Sequence, residues 1–408
     1  MKKSQIAALA VFSVIIFSIG ILLGILADRN VFYSNTIPKS GASQFQLITE
    51  AWNITRQEYV DRTATDARGL AYSAIGGMVT SLGDTGHSRF LTPDEVRQLQ
   101  DLEKGQLEGV GIEIQEKDGK VVIVAPIEGS PAQKANLRPG DIIVQVDGKP
   151  VQSLEDAVQR ITGPAGTSVI LTIESASGQT RDVTLIRARI DIKSVTWNQL
   201  PGTSVVHIRI ASFGSGTTKE LQDVLSAIRQ QGVSSIILDL RNDPGGILDE
   251  AVGVASEFLK TGNVLLEKSA NGNIKPVSVK STGDVVDKTP LVVLINGGTA
   301  SAAEIVAGAL QDAGRATLIG ETTFGTGTVL GQFSLSDGSA VLLATEEWLT
   351  PKGRTIWHQG LTPDSVVTLP QNVTPLFPEG EAGMTKTQLE QSGDQQLLQA
   401  LSQLNTQP

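Results

Sequence analysis

Ser301 lies between two kinds of residue pattern. The stretch INGGTASAAEIVAG, residues 295–308, joins a buried-strand pattern to a run of apolar residues at helical spacing. Its small neighbours leave the hydroxyl accessible to a substrate backbone, on the strand-to-helix turn where nucleophilic serines are often found. The pattern predicts that Ser301 is a nucleophile. The alternative is structural, because Ser301 and Glu304 also have the spacing of a capping box.

A glycine-rich stretch, LDLRNDPGG at residues 238–246, also joins a strand pattern to a helix pattern. Gly245 and Gly246 allow backbone N–H groups to approach a ligand closely at a helix start, which suits a developing oxyanion. The alternative is an ordinary turn shaped by Pro244 and the two glycines. In an open α/β sheet, ligands bind beyond the carboxyl ends of strands, and both stretches lie at such ends.

A third candidate site is the loop Gly109-Val110-Gly111-Ile112, which leads into a strand pattern. A peptide carboxylate could bind the N–H groups of this loop while the peptide adds a strand to the sheet. The loop alone is weak support, but GSPAQKANLRPGDIIVQVDGKPV, residues 129–151, strengthens it considerably. Together they predict a site for peptide C-termini.

Composition narrows the chemistry. The 408 residues carry a net charge of −10 without a basic stripe, so nucleic acid is not expected as a partner. The chain has no cysteine, which excludes disulfides and thiolate chemistry. Its 3 histidines lie far apart in the sequence, so a metal site built from histidines is not expected, and neither is a cofactor. A metal site built from carboxylates remains an alternative.

The N-terminus contains an uncharged apolar run, residues 6–27, preceded by Lys2 and Lys3. As a helix it would span about 33 Å, enough to cross a bilayer. We predict an uncleaved membrane anchor, with residues 1–5 in the cytoplasm and the rest of the chain outside it. A cleaved signal peptide is the alternative, although its apolar region is usually shorter. Residues 28–43 are predicted to be a linker.

The next two regions differ in the period of their apolar residues. Residues 44–100 show helical spacing. Residues 101–188 form a β-rich module of short strands separated by Gly, Pro and Asp turns. Within this module SLEDAVQRI is predicted to be a helix capped by Ser153, with Asp156 at the third helical position.

Strands and helices alternate through residues 189–370, and the strands are continuous apolar runs. This order predicts an α/β domain whose neighbouring strands are largely parallel and covered on both faces. Residues 371–408 form a C-terminal tail that is rich in glutamine. We expect the tail to be mostly loose, with one short amphipathic helix capped by Asp394.

Several motifs together resemble the C-terminal processing peptidases, or tail-specific proteases, from about Phe45 to Leu369. LRPGDIIVQVDG and GVGI resemble a PDZ domain with its carboxylate-binding loop. DLRNDPGG resembles the family's motif beside the oxyanion hole, and NGGTASAAEIVAGALQD resembles its nucleophile motif, with Ser301 as the serine. The resemblance implies a crotonase-like α/β peptidase core, a PDZ domain and an N-terminal helical region. It also implies an oxyanion hole formed by the N–H groups of Gly246 and Ala302.

The stretch that follows the nucleophile motif departs from the family pattern. That pattern is F-G-K-G-x-V-Q, and its lysine is the general base for the serine. Here Phe324 is followed by Gly-Thr-Gly-Thr-Val-Leu, so Thr326 occupies the lysine position and Leu330 the glutamine position. A threonine hydroxyl cannot act as a base near neutral pH, so the usual Ser–Lys dyad is absent.

Two hypotheses follow from this departure. In the first, the chain is an active serine peptidase with another base. His358 is the leading candidate, since a histidine titrates near neutral pH, although it could simply be an exposed hairpin residue. Lys352 is the second candidate, in a turn that favours solvent exposure. His87 and His207 are expected to be structural.

In the second hypothesis the chain is an inactive family member. It would bind peptide C-termini through its PDZ domain, as a membrane-tethered scaffold or regulator. In the active case the same domain would capture the substrate's C-terminus or gate the catalytic cleft.

Overall fold

The structure, a computed structural model, describes residues 41–84, 88–117, 119–127, 129–138, 140–175, 178–191, 193–280, 286, 288–370 and 373–406. The predicted anchor at residues 6–27 and His87 lie outside the described residues. None of the helices within the described ranges is long and apolar enough to span a membrane. The chain divides into two compact units, Met1–Ile75 and Gly76–Pro408.

Helices make up the described part of the first unit, as predicted. They are α1 Ala42–Glu58, a 3-10 turn at Arg62–Ala64 and the start of α2 Ala67–Thr80, which continues into the second unit. Asp66 accepts a hydrogen bond from the Gly69 N–H at 2.7 Å, which satisfies one of the free donors at the start of α2.

The second unit combines helices with four sheets. Its helices after α2 are α3 Pro93–Glu103, α4 Pro131–Lys134, α5 Leu154–Ile161, α6 Thr217–Arg229, α7 Leu248–Phe258, α8 Ala302–Asp312, α9 Pro378–Glu381, α10 Lys386–Glu390 and α11 Gln395–Thr406. Its strands are β1 Arg89–Leu91, β2 Gln106–Gly109, β3 Ile112–Lys117, β4 Lys120–Pro126, β5 Ile142–Val146, β6 Lys149–Pro150, β7 Ser168–Glu174, β8 Thr180–Ile186, β9 Ala188–Asp191, β10 Val195–Gln199, β11 Val205–Ile210, β12 Ser235–Asp239, β13 Asn263–Ser269, β14 Ile274–Ser278, β15 Leu291–Ile295, β16 Thr317–Gly320, β17 Thr328–Ser334, β18 Ala340–Leu349 and β19 Ser365–Val366.

The β-rich module is an antiparallel sheet in the order β3-β4-β5-β7-β8, with β6 on β5. Helix α5 begins after Ser153, whose hydroxyl accepts from the Asp156 N–H at 3.1 Å, as the sequence predicted. Alternate residues such as Val169, Leu171 and Ile173 are fully buried in the module's own core. Strand β2 at the start of the module's sequence pairs antiparallel with strand β9 at its end, and the two form a separate two-stranded ribbon.

The α/β core is a six-stranded sheet in the order β10-β11-β12-β15-β16-β19. All neighbours from β11 to β19 are parallel, and only the edge strand β10 is antiparallel. The predicted parallel sheet is therefore confirmed. The two glycine-rich stretches follow β12 and β15, which are adjacent strands, so both stretches lie at the same edge of the sheet.

The other large sheet has the order β1-β18-β13-β14, with β17 paired to β18. Strand β17 begins at Thr328, within the stretch that departs from the family pattern. We call residues 322–328 the threonine loop. It connects the carboxyl edge of the core sheet to this second sheet.

The C-terminal tail differs from its prediction. Leu389, Leu397 and Leu404 are buried against the face of the core sheet that includes Ile237, and helices α6, α7 and α8 cover the opposite face. The expectation of a mostly loose tail is wrong for residues 373–406. Its leucines recur at helical spacing among the glutamines, and this apolar stripe supplies the missing cover for the sheet.

Charged side chains also join the tail to the sheet. Arg241 is fully buried, and its guanidinium lies 2.9 Å from Asp394 of the tail and 2.6 Å from Asp239 of β12. The His207 ring on β11 contacts Asp239 at 3.0 Å and Glu381 of the tail at 2.6 Å. Both ring nitrogens face carboxylates, so both donate, and the ring carries a proton on each nitrogen. Such buried charges are tolerated because each one is paired.

This environment sets the titration of His207. Burial alone lowers the pKa of the ring, but the hydrogen bonds and charges of Asp239 and Glu381 outweigh burial and raise the pKa to about 9. The folded state therefore holds the His207 proton more tightly than the unfolded chain does.

We expect the free energy of unfolding to depend on pH through His207. Because the pKa rises on folding from 6.5 to about 9, the stabilisation is complete below pH 6.5 and is lost as the pH rises toward 9. The loss amounts to about 3 kcal/mol. Urea unfolding across this window should show it, and His207→Gln, which cannot titrate, should show a much smaller slope. Equal slopes for the two proteins would contradict the charged state of His207.

Candidate active site

Ser301 occupies a strained turn directly before helix α8. Its φ of 51° and ψ of −116° differ from the extended conformation of ordinary helix N-caps. A non-glycine residue at positive φ costs about 1–3 kcal/mol and persists where the surroundings fix it, most often at functional sites. The residue is half-buried. The structure thus places Ser301 in a conformation typical of a nucleophile turn.

The two glycines of the DLRNDPGG stretch lie against Ser301. A Cβ at Gly245 would lie 2.7 Å from Ser301 Cβ and 2.8 Å from Ala302 N, so only glycine fits here. A Cβ at Gly246 would overlap the carbonyl oxygen of Phe213. Phe213 also accepts from the Ile247 N–H and donates to the Gly245 carbonyl, both at 2.8 Å, which fixes the bend.

The N–H groups of Gly246 and Ala302 have no hydrogen-bond acceptor among the described residues. Each belongs to a segment that contacts the Ser301 turn. Free N–H groups beside a serine hydroxyl are the donors that an oxyanion hole requires. Both residues keep the role that the resemblance implies for them, as a prediction.

Asp243 connects the two segments and was not singled out from the sequence. Its carboxylate accepts from the Gly245 N–H at 2.8 Å, and its carbonyl accepts from the Ala300 N–H at 2.9 Å. The side chain is fully buried, and burial raises its pKa well above the ordinary value. An acidic residue just before Pro244 and the two glycines was the sequence signal for this role.

Thr326 lies beside Ser301. Its hydroxyl oxygen accepts from the Ser301 N–H at 3.2 Å, and the residue is only 5% exposed. The threonine loop therefore places residue 326 next to Ser301 although the residue is not lysine. Phe324 of the same loop is 57% exposed, which makes it available to a bound chain.

Glu304 holds the threonine loop against the serine turn. One carboxylate oxygen accepts from Thr323 Oγ1 at 2.5 Å and from the Gly325 N–H at 2.8 Å. The other accepts from the N–H groups of Thr326 and Ser301, both at 2.9 Å. The capping interaction that the sequence suggested is therefore present within the candidate site. The same Glu304 carboxylate both caps α8 and positions the threonine loop.

The candidate bases lie on two successive turns after β18, Lys352 on the first and His358 on the second. His358 is exposed, with φ of 58°, and its N–H donates to the Gly325 carbonyl at 2.9 Å. Its ring stacks on Trp357 at 4.9 Å between centroids. Lys352 is exposed, as expected from its turn. His358 is thus fastened to the threonine loop through its backbone, and its role as a base stays a prediction.

The GVGI loop has the geometry of an anion site. The carbonyls of Val110 and Gly111 accept from the N–H groups of Ala132 and Ile127, both at 2.9 Å. Neither Val110 nor Gly111 has an acceptor for its own N–H within the described part of the chain. Gly111 is at φ of 74°, and a Cβ there would overlap Ser130. Free N–H groups at the start of an edge strand suit a peptide carboxylate.

Metal-binding side chains do not cluster among the described residues. No group of three or more His, Asp or Glu side chains there could hold a metal ion. The expectation of no metal and no cofactor stays a prediction.

Known proteins resemble this chain in both sequence and structure. Residues 204–367 match Peptidase family S41, and residues 122–175 match the PDZ domain. The carboxy-terminal processing protease CtpA of Bacillus subtilis is 36% identical over 81% of this chain and 70% of its own length. A carboxyl-terminal-processing protease of Synechocystis is 38% identical over 78% of this chain and 76% of its own length. Among solved structures, a photosystem II D1 C-terminal processing protease matches with a TM-score of 0.53 and 33% identity, over 83% of this chain and 96% of its own.

Fold and sequence together define a serine peptidase class, family S41, joined to a PDZ domain. Within this class, the chain belongs to the family of C-terminal processing peptidases.

We expect Glu304→Gln to destabilise the chain strongly. The amide nitrogen of glutamine would face two donors that now share a carboxylate oxygen, leaving buried donors unsatisfied. The expected loss is about 2–4 kcal/mol of unfolding free energy, measured by urea denaturation. Glu390→Gln is the matched control, since Glu390 is exposed and forms only a 4.0 Å contact with Lys386. A loss no larger than the control's would show that Glu304 does not hold the loop.

Proposed function

We propose that this chain is a membrane-anchored, extracytoplasmic serine endopeptidase that recognises and cleaves proteins near their C-termini. The strained conformation of Ser301 beside two free N–H groups carries the proposal. The names of the relatives support C-terminal processing as the reaction. The apolar run at residues 6–27, after Lys2 and Lys3, supports the anchor and its orientation.

The proposed chemistry is acyl transfer. Ser301 Oγ attacks a peptide carbonyl carbon, and the N–H groups of Gly246 and Ala302 stabilise the negative oxygen that forms. A base takes the hydroxyl proton and returns it to the leaving amine as the peptide bond breaks. Water then attacks the acyl-enzyme, which releases the shortened protein and restores the serine.

His358 is the proposed base. Its backbone is fastened to Gly325, which precedes the residue whose hydroxyl contacts Ser301. The His358 side chain is exposed, so its ring is accessible from solvent on a turn that is hydrogen-bonded to the threonine loop. Catalytic hydrogen bonds are often formed only when substrate is bound.

An inactive, peptide-binding role is the second candidate, and the position of Thr326 favours it. The Thr326 hydroxyl accepts from the Ser301 N–H at 3.2 Å and the Glu304 carboxylate accepts from it at 2.9 Å, so the residue at the family lysine position acts as a hydrogen-bond acceptor for the turn and not as a base. In this case the PDZ domain would bind peptide C-termini and the core domain would serve as a scaffold or regulator.

The test uses the full chain purified in detergent and an unstructured protein that ends in small apolar residues. The active hypothesis expects cleavage near the C-terminus by the native chain and none by Ser301→Ala. If Ser301→Ala cleaves as fast as the native chain, the serine-peptidase proposal is wrong. If the native chain is inert under conditions where it is folded, the scaffold hypothesis is favoured.

Two variants separate the possible bases. His358→Ala should reduce the cleavage rate by about 100-fold or more if this ring is the base. Thr326→Lys should raise the rate, since burial beside Ser301 lowers the pKa of a lysine toward the working range. Thr326→Met, similar in size but uncharged, is the control for steric effects. Unchanged cleavage by His358→Ala would remove this residue from the mechanism.

We expect the PDZ domain to bind peptides through their terminal carboxylate. A peptide with small apolar residues at its free C-terminus should bind at least ten-fold more tightly than the same peptide ending in an amide, because the amide lacks the charge that the loop N–H groups attract. Fluorescence anisotropy with Ser301→Ala measures binding without cleavage. Equal affinities would contradict a role for the loop of Gly109, Val110, Gly111 and Ile112.

A further inference from the structure

Arg241 is part of the glycine-rich stretch next to the nucleophile. It lies two residues after the end of β12 and four residues before Gly245. We call residues 241–246 the oxyanion loop. The loop begins with a buried guanidinium, so the loop can lie where it does only if that charge is neutralised in place.

The C-terminal tail supplies most of the partners of Arg241. Nη1 donates to both carboxylate oxygens of Asp394, at 2.9 and 3.0 Å, and to Gln396 Oε1 at 3.1 Å. Nη2 donates to the Leu376 carbonyl at 3.1 Å. Asp239 of the core sheet accepts the remaining donors, so the tail provides three of the four residues that the guanidinium binds.

Two further tail carboxylates act near the start of the loop. Glu381 pairs with His207, which in turn contacts Asp239 at 3.0 Å. Glu379 lies 3.8 Å from Arg209 of β11.

The guanidinium carbon of Arg209 stacks over the ring of Phe377 of the tail, 3.6 Å from the ring centroid. The charge of Arg209 in turn acts on the buried carboxylate of Asp243. The titratable groups around the loop start are thus His207, Arg209, Asp239, Arg241, Asp243, Glu379, Glu381 and Asp394.

We propose that the C-terminal tail positions the oxyanion loop, with Asp394 and Glu381 as positioning residues that act through Arg241 and Asp239. This inference rests on the proposed function, because it assigns the loop to oxyanion binding. Neither carboxylate touches the reacting atoms.

Close packing makes the oxyanion loop sensitive to the loss of a tail carboxylate. Gly245 packs so closely on the Ser301 turn that an added Cβ would lie 2.7 Å from Ser301 Cβ, and the Asp243 carbonyl accepts from the Ala300 N–H at 2.9 Å, so a shift of the loop is transmitted to the Ser301 turn. Removal of one partner of a buried ion pair leaves the other charge uncompensated, and Arg241 then moves or attracts water. A displacement of about 1 Å at a catalytic group can reduce the rate by about 100-fold.

The test compares Asp394→Asn and Glu381→Gln with the native chain. The first readout is the rate at which a fluorophosphonate probe acylates Ser301, together with kcat and KM for a peptide substrate. We expect acylation and kcat to fall by about 10- to 100-fold, with KM unchanged. Glu381→Gln retains the side-chain oxygen and serves as the milder variant if Asp394→Asn does not fold.

Leu404→Ala is the matched control, because Leu404 is a buried tail residue without a charge. It should lower the Tm while leaving acylation unchanged at temperatures where all proteins are folded. If Leu404→Ala slows acylation as much as the charge variants do, the tail has only a structural role. Native acylation rates in both folded charge variants would also overturn the proposal.

Hydrogen exchange separates this inference from the proposed function. The Gly245 and Ile247 N–H groups are bonded to Asp243 and Phe213, so they report the loop directly, even in an inactive protein. If the native chain is not acylated, the proposed function fails. Faster exchange of these amides in Asp394→Asn, but not in Leu404→Ala, would still support positioning by the tail, and unchanged exchange would overturn it.

Discussion

The buried carboxylate of Glu304 is the interaction on which the site depends. A carboxylate without solvent is unfavourable unless donors surround it, and here four donors do so, two on each oxygen. Three of the four come from the threonine loop, and the fourth is the Ser301 N–H. The cost of burying this charge is therefore offset only when the loop lies against the Ser301 turn. The loop's position is set by its backbone and by Thr323, which explains how residue 326 reaches Ser301 without being a lysine.

The parallel sheet supplies the other half of this arrangement. Because β12 and β15 are adjacent and parallel, the stretches after them leave the same edge and meet there. Phe213, after β11, fixes the bend at Gly245 through two backbone hydrogen bonds. The strained φ of Ser301 is thus maintained by neighbours on three strands rather than by its own preference. The packing along this edge of the sheet therefore holds Ser301 in its strained backbone conformation.

Local patterns predicted the fold well where the stabilising contacts are themselves local. The order of strands and helices, the parallel core sheet and the Ser153 cap follow from apolar periodicity and capping spacing. Contacts between distant residues could not be read in this way. Arg241 and Asp394 are 153 positions apart, so the tail looked like a loose glutamine-rich segment. Similarly, Glu304 was identified as a capping residue, but its three contacts with the threonine loop depend on tertiary structure. Ser301 was predicted from its local pattern, and Gly246 and Ala302 were assigned from motif resemblance. The structure places Gly246 on a segment that adjoins Ser301 and Ala302.

Replacing the family lysine by threonine changes the electrostatics of the site as well as its proton transfer. A lysine at position 326 would lie near the carboxylate that accepts from its own backbone N–H, and the opposite charge would partly offset burial in setting its pKa. With threonine, hydrogen-bond dipoles alone satisfy Glu304, and residues 322–328 contain no ionisable side chain. Under the proposed function, a proton acceptor for Ser301 comes from another segment. The turn that carries His358 is fastened to the same loop at Gly325, so the scaffold that positions residue 326 also fixes where an alternative base would be attached.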